Sequence, residues 1–309
     1  MYNEAEKIKY VEQFSSKDSK NEFVRVFKAS EPFEQIFQKD LAGFNRDELL
    51  NFLNSLEMAN PLTIKKYLSR IHQYQKDVNP SNQYLEHPLS KDDIDLVPAM
   101  RKNFFKSFSD VMIEVQKARP LNAGYPEPAI LAFAWMGFES DEIGPIEKKD
   151  VNLVQGYVLD QWHGQKIKIE NSVLEVLRAF DGVTTSYRDT RGTFVVYAEK
   201  TPYFLKRMFR EDSKKKPLEP KPFTAREITT VISGLKQAAA VNGNTVHINY
   251  ADVQRSGQFY RLYQAEQNGI DICSVENAGI LCRETRIVFK RYYDILAQYK
   301  AYKQAFDLT

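Results

Sequence analysis

The side chains best placed for chemistry in this chain are cations set where they could meet phosphate. Between Lys200 and Arg226, nine basic residues (Lys200, Lys206, Arg207, Arg210, Lys214, Lys215, Lys216, Lys221, Arg226) stand against three acidic ones (Glu211, Asp212, Glu219). Such a run is ordinarily a solvated loop, but it is also the electrostatic footprint that a phosphate backbone attracts. A second basic set lies in the segment Asn60 to Tyr74. There Ile64, Tyr67, Leu68, Ile71 and Tyr74 form one apolar helical stripe, which leaves Thr63, Lys65, Lys66, Ser69 and Arg70 on the outer surface. Most basic helix faces simply meet water; this one has the residue types to sit against phosphates. Metal chemistry is not expected. The four histidines (His72, His87, His163, His247) are far apart and lack the short spacings of zinc ligands. The two cysteines, Cys273 and Cys282, fit neither a disulfide framework nor a CxxC pair and suit a reducing cytoplasm.

The elements that must position these residues can be read from periodicity. A chain of 309 residues favours two packed units. Its 43% hydrophobic and 27% charged content places it among globular proteins. Net charge is only +2, too small by itself to announce a nucleic-acid partner. The N-terminus carries no secretory apolar core, and the longest apolar stretch, Ala129 to Phe138, is ten residues and too short to cross a bilayer as a helix. A cytoplasmic protein with no membrane partner is therefore expected.

The first hundred residues read as helices. In the helix of the basic set, Asn60 is the expected cap and Pro61 the first helical residue. Asp77 to Asp95, rich in Asn, Pro, Ser and charge, reads as the interdomain linker, so that domains are expected over 1–90 and 91–309. Beyond it, helices are expected over Phe104 to Ala118 and up to Gly137, with Ser140 starting a short one. The period then becomes strand-like. Tyr157 to Asp160 and Lys166 to Glu170 flank a turn at Gln161 to Gly164, and a third strand runs from Thr193 to Ala198. Helices return over Thr224 to Ala240, Asp252 to Gln267, Ile272 to Asn277 and Thr285 to Phe306. The fold class is thus mainly α with a small antiparallel β-sheet.

Three phrases in this order resemble the tyrosine recombinase, or phage integrase, family over most of the chain. Thr63-Ile-Lys-Lys-Tyr-Leu68 is similar to its helical core-binding domain. Ala134-Trp-Met-Gly-Phe-Glu-Ser-Asp-Glu-Ile143 followed by Asp150 resembles its first box. Asp252-Val-Gln-Arg-Ser-Gly257, then Gly269-Ile-Asp271 and Gly279, resembles its second. The resemblance implies a two-domain clamp, a helical core-binding domain followed by a catalytic-like α+β domain, acting on double-stranded DNA without a cofactor.

It also implies positions for a Tyr nucleophile, two phosphate-binding Arg, and a Lys and a His for proton transfer. At the first Arg position stands Glu139, an acid where a phosphate should bind. The His-x-x-Arg pair falls on Ala251 and Gln254, with Arg255 one residue late. The later His or Trp is Ile280, and Phe289 stands where the Tyr often lies, with Tyr292 and Tyr293 nearby. Loss of one transition-state arginine costs roughly 10³ to 10⁵ in rate in phosphoryl transfer. A degenerate member without catalytic residues is therefore expected: a DNA-binding phage repressor that blocks transcription at an operator, with a phage-encoded regulatory protein as a further partner and the oligomeric state open. Its candidate DNA contacts are Thr63, Lys65, Lys66, Ser69, Arg70, Lys166, Lys168, Lys206, Arg207, Lys214, Lys215, Lys216, Asn249 and Arg255. Two other readings remain open: a recombinase using Tyr292 or Tyr293, and a protein-interaction module.

Overall fold

The computed structural model describes residues 2–119, 125–188, 194–198, 200–210 and 220–308, the side chains of 185–198 and 208–210 excepted. The chain forms two compact units, one of Met1–Arg101 with Ala297–Thr309 and one of Lys102–Leu296. The fold is mainly α-helical with small antiparallel sheets, as expected from the periodicity.

Unit 1 is built on α1 (Glu4–Glu12), α2 (Lys17–Phe37), α3 (Arg46–Ser55) and α4 (Pro61–Val78), and α5 (Val97–Asn103) begins within it. In α4, Asn60 accepts the Leu62 N–H at 2.9 Å and Pro61 occupies the first turn. Ile64, Leu68, Ile71 and Tyr74 are buried, which fixes the opposite face outward. Tyr10, Phe23, Phe27 and Tyr74 meet edge-on or tilted at 4.7 to 6.4 Å in the core beneath it.

Residues 79–95 do not form the linker expected from their composition. Asn82 donates to the carbonyls of Ala42 and Phe44 at 2.9 and 3.0 Å, and Tyr84, Leu89 and Ile94 are buried in the unit 1 core. Polar residues here satisfy backbone groups of a 3-10 turn at Leu41–Gly43, so high polarity reports hydrogen bonding and not solvation. The compact units divide at 101/102, beyond the 90/91 boundary read from sequence, and the last residues, Ala297–Thr309, pack with the first unit.

Unit 1 also encloses an ion pair. Lys7, 1% exposed, binds the carboxylate of Glu34, 0% exposed, which also accepts the Leu41 N–H at 2.9 Å. Burial pushes the Glu34 carboxyl up, against the opposing pull of Lys7. Lys7→Met should strand that carboxylate and destabilise unit 1 by roughly 3–5 kcal/mol in denaturant unfolding. A loss below about 0.5 kcal/mol would contradict the buried pair.

Unit 2 is organised around α7 (Glu127–Trp135), every residue of which is buried. It is preceded by α6 (Phe108–Ala118) and followed by α8 (Ser140–Ile143), β1 (Val151–Asn152), β2 (Tyr157–Asp160), β3 (Gln165–Lys168) and α9 (Asn171–Asp181). Then come β4 (Thr185–Arg188), β5 (Phe194–Ala198), β6 (Met208–Arg210), α10 (Ala225–Val241), α11 (Tyr250–Gln267), α12 (Val275–Thr285) and the start of α13 (Tyr292–Ala305). Helices α6, α9, α10 and α11 pack on α7. The approach of α11 is so close that a Cβ on Gly257 would lie 1.9 Å from the Trp135 carbonyl oxygen, and only glycine fits there.

The expected hairpin forms with β2 against β3 and Gly164 at φ +63 in its turn. The expected third strand appears as β5, but it pairs with β4 and β6 in a second three-stranded sheet, while β1 completes the first. The second strand of the hairpin stops at Lys168, and Glu170 becomes the N-cap residue of α9. The short piece expected over Ile272 to Asn277 is the approach to α12. The last helix does not begin at Thr285: Arg286 turns left-handed at φ 54, and a 3-10 turn at Phe289–Arg291 precedes α13.

Candidate nucleic-acid interface

On α4, Lys65 and Ser69 are fully on the surface and Thr63 is half-buried. Lys66 is 69% exposed, with its ammonium 3.6 Å from Glu22. Arg70 is committed further. Its Nε and Nη2 donate to one Glu22 oxygen at 2.9 and 2.7 Å, Nη1 donates to Gln73 at 3.2 Å, and the guanidinium lies 5.2 Å from the Phe23 ring centre. The hydrogen bond from Arg70 holds the Glu22 carboxyl below its ordinary range. The outward basic face therefore consists of Lys65, Lys66 and Ser69, and Arg70 ties α4 to α2.

In unit 2, Lys166 and Lys168 stand exposed on one face of β3, with Ile167 and Ile169 on the other face in the core. The Lys166 ammonium lies 4.5 Å from the centre of the Tyr157 ring. Two other expected contacts are used internally. Lys206 is 7% exposed and donates to the carbonyls of Phe180, Asp181 and Val183 at 3.4, 2.6 and 3.2 Å. It closes the C-terminus of α9, where a helix leaves carbonyls unpaired, and burial pulls its pKa down. Arg207 donates to Glu227 at 2.9 and 3.1 Å and to the Pro222 carbonyl at 3.2 Å, with its guanidinium 4.5 Å from the Phe223 ring centre. Each is committed within its own unit, Lys206 to a helix end and Arg207 to a carboxylate and backbone carbonyls. Lys214, Lys215 and Lys216 lie outside the described residues. Asn249 is the cap of α11: its oxygen accepts the Ala251 and Asp252 N–H groups at 2.9 and 3.4 Å, and its amide donates to Asp252 at 2.6 Å.

Arg255 is different. It lies part-buried on α11 in no ion pair among the described residues, and its Nη1 is enclosed with no hydrogen-bond partner. Burial and the nearby Arg291 lower its pKa, opposed by Glu139 and Asp252. This is a cation held short of an anion.

Of the residues that the resemblance sets at catalytic positions, Gln254 is committed within the unit. Gln254 donates its amide to the carbonyls of Gly137 and Phe138 at 3.2 and 3.0 Å, tying α11 to the end of α7. Glu139 is exposed at the start of α8, and Ala251 is exposed on the first turn of α11. Ile280 and Phe289 are 47% and 56% exposed. Tyr292 is fully buried, and its hydroxyl donates to the Ile272 carbonyl at 2.7 Å. Burial pushes its phenol up to about 12. Tyr293 is half exposed.

Sequence reasoning missed Arg286. It is 4% exposed, bound to Asp160 and, at 2.6 Å, to Glu142, with Nε donating to the Gly137 carbonyl at 3.3 Å. Asp160 also receives the His163 ring nitrogen at 2.8 Å. No local pattern marks Arg286; its partners come from three separate segments. Among the described residues no group of three His, Cys, Asp or Glu is placed to hold a metal ion, and no helix is long and apolar enough to cross a membrane.

Comparison with known proteins places the first of the two units. Residues 1–76 match the family described as MrpR, N-terminal core-binding domain. That part of the chain is similar to core-binding domains as a class, as the phrase around Thr63 to Leu68 led one to expect, and its particular likeness is to those of MrpR. No curated protein matches the chain. A solved structure titled "Crystal structure of XerA recombinase" is similar over 98% of this chain and 94% of that one, at 11% identity and a TM-score of 0.35, too slight a likeness to argue from.

Asp252 supplies a pH test of the site. Burial raises its carboxyl from 3.8 to about 6, against the pull of Lys236 and Arg255. A carboxyl raised on folding binds more protons folded than unfolded. Its contribution is therefore whole below pH 3.8 and is lost as pH rises through about 6. The loss is at most roughly 3 kcal/mol. Stability measured by urea unfolding between pH 4 and 7 should fall more steeply in the wild type than in Asp252→Asn; parallel curves would exclude the buried carboxyl.

Proposed function

We propose that this chain is a sequence-specific double-stranded DNA-binding protein, a phage repressor on a recombinase-like two-domain scaffold that does not cleave strands. The observation that carries the reading is the match of residues 1–76 to a core-binding domain, on whose α4 Lys65, Lys66 and Ser69 form an outward basic face. Lys166, Lys168 and Arg255 are the candidate contacts of unit 2. The reading without cleavage draws on Glu139, Ala251, Gln254, Ile280 and Phe289, none of which can supply the Arg, His or Tyr chemistry of strand transfer, and on Tyr292, whose hydroxyl is buried and already donating. Duplex binding outlasts such losses because its affinity is spread over many phosphate contacts.

Two measurements test it. Suicide duplex substrates incubated with the purified chain should yield neither nicks nor a covalent adduct. An adduct abolished by Tyr293→Phe would establish recombinase chemistry instead.

The second concerns salt. Each phosphate contact releases counterions, so Lys65→Ala or Lys66→Ala should shallow the slope of log K against log salt by about 0.9 on both a selected and a random duplex. Arg70→Ala should leave that slope unchanged while lowering the stability of unit 1, since its guanidinium is bound to Glu22. Unchanged slopes for both lysines would remove α4 from the interface.

A further inference from the structure

The sheet order β1-β2-β3 leaves β3 as an edge. Its pairing shows which of its backbone groups are left unpaired among the described residues. Ile169 donates its N–H to the Gly156 carbonyl at 2.9 Å, and Ile167 and Gln165 stand opposite Val158 and Asp160. Because hydrogen-bonded and non-hydrogen-bonded positions alternate along an antiparallel pair, the N–H and C=O groups of Lys166 and Lys168 point away from β2. Lys166 and Lys168 line a groove of about 690 Å³ within unit 2. Gln264 and Asn268 at the end of α11, Arg283 on α12, Trp135 and Arg261 also line it. Trp135 is 1% exposed, and its indole N–H and the Arg261 Nε are enclosed without hydrogen-bond partners.

The groove is also charged in one sense. Lys166, Lys168, Arg261 and Arg283 line it against Glu170 and Glu284, and none of the four cations is in an ion pair among the described residues. The hydrogen bonds of Arg261 go to backbone carbonyls, those of Trp135 and Thr285, and Glu170 is the acid that offsets its charge.

We propose that the β3 edge is a docking site for an extended acidic segment of a partner protein, which adds to the sheet as a strand antiparallel or parallel to β3. Backbone groups of Lys166 and Lys168 supply the ladder, and the alternate acidic side chains, which share one face of the added strand, reach the two lysines. Lysines on an edge strand commonly keep other strands away. Here the same charge that repels a basic strand and fails to repay an apolar one favours an acidic strand, and the groove offers donors for it. The site shares the Lys166 and Lys168 side chains with the proposed duplex contacts but adds the backbone of β3, so it is tested without DNA and with a nucleic-acid competitor.

The probe is a fluorescein-labelled hexapeptide alternating Asp or Glu with Val, titrated into the full chain and followed by anisotropy. Three comparison ligands are used: the same peptide N-methylated at alternate residues, a version with Lys in place of the acids, and a single-stranded hexanucleotide. The acidic peptide should bind, with at least a tenfold loss on N-methylation, on charge reversal, and in Lys166→Glu/Lys168→Glu. In hydrogen exchange, the amides of Lys166 and Lys168 should exchange freely in the unbound chain and slow when the peptide is added. Equal binding of the N-methylated peptide, or its displacement by the hexanucleotide at equal concentration, would overturn the proposal in favour of a simple anion trap. So would protection of both amides before any peptide is added, since a segment of this chain would then already hold the edge.

Discussion

Arg286 lies between the carboxylates of Asp160 and Glu142 with 4% of its side chain exposed, and those carboxylates are themselves 0% and 13% exposed. Burying three charges is tolerable only when each is fully paired, because the desolvation cost of an unpaired ion is several kcal/mol. The pairing therefore dictates where three segments must be. Asp160 ends β2 at the hairpin turn, Glu142 belongs to α8, and Arg286 reaches them by turning left-handed at the end of α12. The Gly137 carbonyl, which accepts from both Arg286 and Gln254, brings the end of α7 into the same junction. Gln254 ties α11, which carries Arg255, to this junction, and Asp160 ties in the hairpin that carries the β3 lysines.

Around the junction the chain has used several of its donors on itself. Gln254 serves two carbonyls, Arg286 serves two carboxylates, and the Tyr292 hydroxyl serves the Ile272 carbonyl. Each is an internal bond that would have to be broken before a ligand could be bound, at a cost comparable to its contribution to stability. Arg255, with an enclosed Nη1 that donates to nothing, is the exception.

The same division runs through the basic residues. Lys206, Arg207 and Arg70 hold their charged groups over aromatic rings and give their hydrogen bonds to helix ends or carboxylates. Lys65, Lys66, Lys166 and Lys168 are exposed. Composition cannot separate the two groups, since a lysine that closes a helix and one that meets water are the same letter. Exposure and hydrogen-bond partners separate them at once.

What the sequence by itself determined is whatever repeats at short range. The stripe of α4 with its Asn60 cap and Pro61 start, the hairpin about Gly164 and the helices α10 and α11 are all set by contacts within a turn or two of the chain, which is the range over which periodicity carries information. The core-binding phrase around Thr63 to Leu68 belongs here too, because the residues that make it similar to a family are consecutive. Only the tertiary structure decided the rest. Residues 79–95 looked like a linker because Asn and Asp are read as solvated, yet Asn82 is turned inward by carbonyls some forty positions away. Lys206 looked like part of a solvated run until α9 placed its open C-terminus over it, and Arg286 had no visible role until Asp160 and Glu142 arrived from elsewhere. In each case a polar side chain was committed by a partner distant in sequence, and the cost of leaving a buried polar group unpaired made that commitment obligatory.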